Sequence, residues 1–292
     1  MDAAELLKRV RRVEITTRKL SDRIFSGEYS SAFKGRGMAF AENREYQPGD
    51  EVRTIDWNVT ARTGVPHVKV FEEERELTVF LLIDVSASTA NGTRDRTLKD
   101  LATELSAVLA FSAMGNNDKV GAIFFTDRVE KFIAPGKGRS HVLRIVRDLL
   151  DFEPEGMQSD VVQALTHFSA AMRKRTVAFL ISDFKHAGGN VELETMLKRV
   201  GRRHDMVALH LDDPLNNVLP PLGWMRIEDP ETGEKRWCNT SSKRTRRHWQ
   251  RARENHLNEL TTLMARSGMD FTTLSTEGSI VKPLLNVFHA RG

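Results

Sequence analysis

The chain has 292 residues, 40% of them hydrophobic and 29% charged, which suits a soluble globular protein of one large domain or two modest ones. A net charge of +4 does not imply nucleic acid by itself, and the single cysteine, Cys238, excludes an intrachain disulfide and a cysteine-built zinc site. Apolar runs reach only about eight residues against the roughly 20 that span a bilayer, and the N-terminal MDAAELLKRVRRVE lacks the continuous apolar stretch of a signal peptide, so a cytoplasmic protein is expected.

In chain order, Leu6, Val10, Val13, Leu20 and Ile24 form a narrow apolar stripe that predicts a helix over residues 2–25, stopped by Gly27. Such a stripe packs on its own domain more often than it docks a partner. Residues 28–76 change character. Gly35, Gly37, Gly49 and Gly64 punctuate short segments, Gln47-Pro48-Gly49-Asp50 is a turn, and Ile55–Trp57 and His67–Phe71 read as short strands. The dense mixed charges there are expected to be solvated or paired with one another.

From residue 77 the chain alternates strand and helix. Strands are predicted over 77–84, 119–126, 129–134, 176–182, 206–211 and 270–274, with 129–134 antiparallel to its predecessor after the tight turn at Thr126-Asp127. Helices are predicted over 94–114, 140–150, 160–173, 191–203, 243–266 and 280–289, and Asp229–Gly233 reads as a hairpin turn between MRIE and KRWCN. The pattern specifies a Rossmann-like α/β fold over residues 77–292, a mostly parallel sheet with helices on both faces, preceded by a smaller helix-plus-β region over residues 1–76.

The chemistry gathers at predicted strand ends. Thr78–Ile83 reads as a strand buried on both faces, and it breaks into Asp84-Val85-Ser86-Ala87-Ser88-Thr89. Alternate spacing lets the oxygens of Asp84, Ser86 and Ser88 converge. Two other loops belong at the same sheet edge: Gly156–Asp160, before a helix, and Ser182-Asp183-Phe184, after the strand TVAFLIS. Oxygen-only donors suit a hard cation, and two carboxylates with neutral hydroxyls would leave that ion able to attract a further anionic oxygen. Taken singly, each serine is as well explained by helix capping, and Asp183 by an ordinary polar strand end.

DVSAST, the Gly156–Asp160 loop and LISDF resemble the metal-ion-dependent adhesion site of von Willebrand factor A-like domains. The resemblance implies Asp84, Ser86, Ser88, Ser159 and Asp183 as ligands of Mg2+ (or Mn2+ or Ca2+), with Ser159 where the family usually has threonine. Thr89, Gln158, Asp160 and His186 are the neighbouring candidates for partner contact. FAENREYQPGDEVRTIDWNVTARTG, VKVFEEERE and the DPETGE hairpin resemble the domain of unknown function family 58. That resemblance implies a non-enzymatic adaptor acting beside a MoxR-type AAA+ ATPase, with a client protein supplying an acidic residue and no small-molecule substrate. It also leaves room for peripheral association with a membrane complex.

Two other readings compete. A metal-dependent hydrolase needs a general base, and no histidine lies in the three loops, although His186 follows Asp183 closely; no G-x-S-x-G elbow surrounds Ser86. Lys243, Arg244, Arg246, Arg247, Arg251 and Arg253 crowd one helix and could track phosphates or dock on an anionic surface. A solvated helix face above a stripe of Trp249, Leu257 and Leu260 is preferred to nucleic-acid binding.

Overall fold

A computed structural model describes residues 10–11, 13–14, 37–74, 77–90, 92–93, 96–185 and 191–290. The helix expected over 2–25 lies outside them except for Val10, Arg11, Val13 and Glu14, which are helical, and His186 lies outside them too. Two compact units divide the chain: Phe33–Leu77, and Thr78–Gly292 together with the chain before Phe33. The division expected from sequence, 1–76 against 77–292, grouped that leading segment with the smaller unit instead.

In the smaller unit, strand β1 (Gly37–Glu45) pairs antiparallel with β2 (His67–Glu74). The predicted strand at Ile55–Trp57 is replaced by helix α1 (Trp57–Thr63), and only Ile55 bridges to Val68. Local capping decides this. The Asp56 carboxylate accepts from Asn58 N–H at 3.0 Å and Val59 N–H at 3.3 Å, and Gly64 closes the helix in the left-handed region at φ 73°. The Gln47–Asp50 turn forms as expected, and the Arg44 guanidinium grips both oxygens of Asp50 at 2.7 Å.

The larger unit is built on a six-stranded sheet. Its strands are β3 (Thr78–Asp84), β4 (Lys119–Phe125), β5 (Val129–Gly136), β6 (Val177–Ser182), β7 (Asp205–Asp212) and, later in the chain, Asp270–Ser275. Between them run helices α2 (Leu98–Gly115), α3 (Arg139–Leu150), α4 (Val161–Ala171) and α5 (Val191–Arg203). A hairpin of β8 (Trp224–Glu228) and β9 (Lys235–Asn239) then precedes α6 (Lys243–Arg266), the closing strand, hereafter β10, and α7 (Val281–His289). Predicted and observed ends differ by a few residues at most. The largest shift is at α2, where Gly92–Thr93 and Arg96–Thr97 form a short ladder and Thr97 caps the helix through a box with Asp100.

Sheet order is β10-β7-β6-β3-β4-β5, parallel throughout except for the β4–β5 pair. Strand β3 alternates its side chains between two layers. Phe80 and Leu82 join Leu165 and Phe168 of α4, Leu197 of α5 and Met264 of α6 in one core. Val79, Leu81 and Ile83 turn the other way, toward the layer of α2 and α7, where Phe179 meets Phe288 edge-on at 6.4 Å. The chain leaves β3 toward β4 and leaves β6 in the opposite direction, toward β7. The crevice of the sheet therefore opens between the carboxyl ends of β3 and β6.

Glycine at position 121 holds the central layer closed. It lies opposite Phe80 across the β3–β4 ladder, and a Cβ there would come within 2.6 Å of the Phe80 ring. Gly121→Ala is expected to lower stability by about 1–3 kcal/mol through overpacking. The loss should shrink in a Phe80→Leu background, so a double-mutant cycle by urea denaturation gives a coupling energy clearly different from zero; additive effects would refute the contact.

Candidate metal centre

Asp84 ends β3 and is buried. Its Oδ2 accepts from the hydroxyls of Ser159 and Ser182, each at 2.6 Å, and its Oδ1 accepts from the Ser86 amide at 2.9 Å. The hydroxyls of Ser86 and Ser88 lie 3.1 Å apart. Asp183 follows directly after β6, buried, and its charge acts on Asp84. The structure thus brings the three loops together. Among the described residues no three His, Cys, Asp or Glu side chains are placed to hold a metal ion between them, so this centre consists of two carboxylates set among hydroxyls.

Backbone hydrogen bonds explain why the first two loops meet. Val85 N–H donates to Phe125 O at 2.9 Å, Ala87 N–H to Met157 O at 3.0 Å, and Asp160 N–H to Thr126 O at 2.8 Å. Glu130 of β5 adds a clamp, accepting from Gly156 N–H and from the Thr126 hydroxyl, each at 2.7 Å. Burial opposes ionisation of Glu130, yet these hydrogen bonds hold its carboxyl below the usual range. Gly156 packs so closely on Thr126 and Asp127 that any Cβ would overlap them.

At the third loop, Phe184 is buried with φ at 48°, an uncommon conformation for a bulky residue. Its amide donates to Ser182 Oγ at 3.0 Å, and Lys185 N–H reaches Asp183 Oδ1 at 3.4 Å. Asp183 Oδ2 is buried and accepts no hydrogen bond, although Lys185 Nζ forms an ion pair with it at 3.7 Å. A groove of about 820 Å³ opens beside Ser159 and is lined by Gln158, Asp160, His167, Phe184 and Lys185 among others.

The flanking candidates separate. Gln158 is exposed on that groove, whereas Asp160 spends one carboxylate oxygen capping α4 through Gln163 N–H at 3.1 Å. Thr89 is buried and donates to Ser86 O at 2.7 Å, so it braces the loop rather than facing outward. Several contributors escaped the sequence reading. Ser182 was legible as a hydroxyl at a strand end, but its aim at Asp84 depends on strand order. Glu130 and His210 carried no local signal. His210 pairs across the ladder with Ser182 and its ring stacks on Phe271 at 6.0 Å; burial pushes its pKa down to about 4.

Burial, and then the Asp183 charge, push the Asp84 pKa up to about 6 from an ordinary 3.8, against the pull of the serine hydrogen bonds. Because the folded value lies above the unfolded one, the folded protein binds the proton more tightly, and stability falls as pH rises from about 4 through about 6. Asp84→Asn mimics the neutral acid. It is expected to raise the thermal midpoint of metal-free protein near neutral pH by on the order of 5 °C and to flatten the pH dependence in that window. An unchanged pH profile by calorimetry would show that Asp84 is not the titrating group.

Comparison with known proteins identifies the family of the chain. Over 235 residues the chain is 32% identical to uncharacterized protein Rv1480 of Mycobacterium tuberculosis, covering 80% of this chain and 73% of that protein. It is also 25% identical over 138 residues to uncharacterized protein MAV169 of Mycobacterium avium, covering 47% of this chain and 79% of that one. Among solved structures it is similar to BatB from Bacteroides thetaiotaomicron, with a TM-score of 0.47, 14% identity and coverage of 74% of this chain and 98% of that chain. The SpRpn10 VWA domain is another, with a TM-score of 0.39, 14% identity and coverage of 72% and 94%. The family described as protein of unknown function DUF58 matches residues 42–259, and the chain belongs to it.

Proposed function

We propose that the protein is a non-enzymatic adaptor whose centre at Asp84, Ser86, Ser88, Ser159 and Asp183 holds a divalent cation, Mg2+ foremost, as a docking point for an acidic side chain of another protein. The observation that carries this reading is Asp183 Oδ2, a buried carboxylate oxygen without a hydrogen-bond partner beside a second buried carboxylate. Two such carboxylates in one crevice repel each other, and a cation relieves both the repulsion and the unmet acceptor. The donors are all oxygens, and serine, lacking the threonine methyl, offers the same hydroxyl at position 159 with a freer rotamer. When bound, the ion supplies a positive charge that a partner carboxylate can complete. The groove beside Ser159, with Gln158 exposed on it, is the surface on which that partner would lie.

A MoxR-type AAA+ ATPase is the proposed working partner, with a further protein as client. Among the described residues no helix is long and apolar enough to cross a membrane, so the adaptor role is assigned to this chain without a spanning element of its own there.

The test is direct. Isothermal titration with Mg2+ and Mn2+ should show binding to the wild type, weakened at least about tenfold in Asp183→Asn and in Asp84→Asn. Capture of the purified MoxR-type ATPase from the same organism should then require the cation, fail in EDTA and fail with either variant. Capture that ignores both EDTA and the substitutions would overturn the reading.

A further inference from the structure

The β8–β9 hairpin leaves one face bare. Directly opposed residues of an antiparallel pair share a face. Arg226 opposes Trp237, and Trp224 opposes Asn239, so Trp224, Arg226 and Trp237 stand together. Both indoles are largely in water, Trp224 at 68% and Trp237 at 70% exposure, and Leu222 at the foot of the hairpin is 67% exposed. On the reverse face Met225, Ile227 and Cys238 are half-buried, so the hairpin is seated by that side.

A cationic stripe begins at the same foot. Thr240 N–H donates to Gly223 O at 2.7 Å, closing the hairpin base, and Arg246 Nη1 donates to Thr240 O at 2.7 Å, tying α6 to it. Arg244, Arg247 and Arg251 then follow at helical spacings of three and four along the exposed side of α6. Arg246 and Arg253 are occupied, the latter by Asp212 at 2.8 Å. By contrast, among the described residues no carboxylate forms an ion pair with Arg226, Arg244, Arg247 or Arg251.

We propose that the exposed face of the β8–β9 hairpin and the first half of α6 form a docking surface for an anionic phospholipid bilayer. Charge complementarity selects an anionic partner, because among the described residues these four guanidinium groups have no carboxylate in an ion pair. The apolar part selects lipid among such partners. Indole rings settle at the headgroup level, where one edge is apolar and the other wet, and a neighbouring leucine gains only if it enters acyl chains. A single strand of nucleic acid would use the indoles and arginines but leave Leu222 in water. The surface needs no cation at Asp84 and does not rest on the adaptor reading.

The experiment is flotation of the full chain with vesicles of phosphatidylglycerol mixed with phosphatidylcholine, and of phosphatidylcholine alone, in EDTA at low and high salt. Binding is expected to the anionic vesicles only, to weaken at high salt, and to be accompanied by a blue shift of tryptophan emission. The triple variant Arg244→Gln, Arg247→Gln, Arg251→Gln should lose roughly 100-fold in partition coefficient, and Trp224→Ser with Trp237→Ser at least about tenfold. Both sets lie at exposed positions, and unchanged thermal midpoints would confirm that they fold. Asp84→Asn should float like the wild type. The proposal is overturned by absence of binding to anionic vesicles at low salt, by equal binding to phosphatidylcholine, or by binding that both variant sets leave intact. Tighter, variant-sensitive binding to a single-stranded oligonucleotide or to polyglutamate than to vesicles would also overturn it, assigning the surface to that partner instead.

Discussion

Repulsion between two buried carboxylates is the constraint around which the larger unit is arranged. Asp84 and Asp183 sit at the carboxyl ends of strands that are neighbours in the sheet, so the backbone itself forces them close. Burial of either charge alone would be costly, and burial of both is more so. The protein answers with hydroxyls: Ser159 and Ser182 donate to one oxygen of Asp84 and the Ser86 amide to the other. Asp183 is answered less fully, since its Oδ2 receives no hydrogen bond. What sets Asp183 apart is that its unbonded oxygen lies beside a second buried carboxylate, whose charge it raises in cost.

Holding such a centre open requires a rigid frame, and the frame has two parts. Beneath it, β3 is buried on both faces, with Phe80 against Phe168 at 5.2 Å and Gly121 making room for the ring. Around it, the loops are pinned by backbone hydrogen bonds as well as by the Ser159 and Ser182 hydroxyls on Asp84. Glu130 and Thr126 on the β4–β5 hairpin fasten the Gly156 loop, which in turn holds Ala87. Phe184 adds a conformation of the order of 1–3 kcal/mol above its relaxed state, sustained by its burial. A loop tethered this way holds its oxygens in a fixed frame, which suits the proposed docking role.

The two proposed surfaces differ in the physics they use. The centre at Asp84 relies on desolvated charge and a few short hydrogen bonds, so single-atom changes alter it. The hairpin and α6 surface relies on area and on net charge, with side chains that are individually replaceable. Both lie within the larger unit, yet the residues that build one contribute nothing to the other.

Much of this was legible in the residues themselves. A run of β-branched and apolar side chains bounded by polar ones marks a doubly buried strand, and strict strand–helix alternation marks a parallel sheet; both signals are local, and both survive folding unchanged. Asp84, Ser86 and Ser88 share one short turn, so their grouping needed no tertiary information. Other features were decided only in three dimensions. Whether Ser182 aims at Asp84 depends on β6 lying beside β3, which the crossover from β5 determines. The clamp by Glu130, the nearness of His210, and the inward turn of Thr89 likewise follow from which strands are neighbours. In the smaller unit, Ile55–Trp57 carried a strand composition, but the Asp56 cap and Gly64 made the next residues a helix, since a satisfied helix end outweighs a weak propensity. Sequence by itself determined the layers and the oxygen-rich loop after β3. The tertiary structure decided which oxygens of the centre accept hydrogen bonds, because hydrogen-bond partners are set by proximity across the sheet and not by distance along the chain.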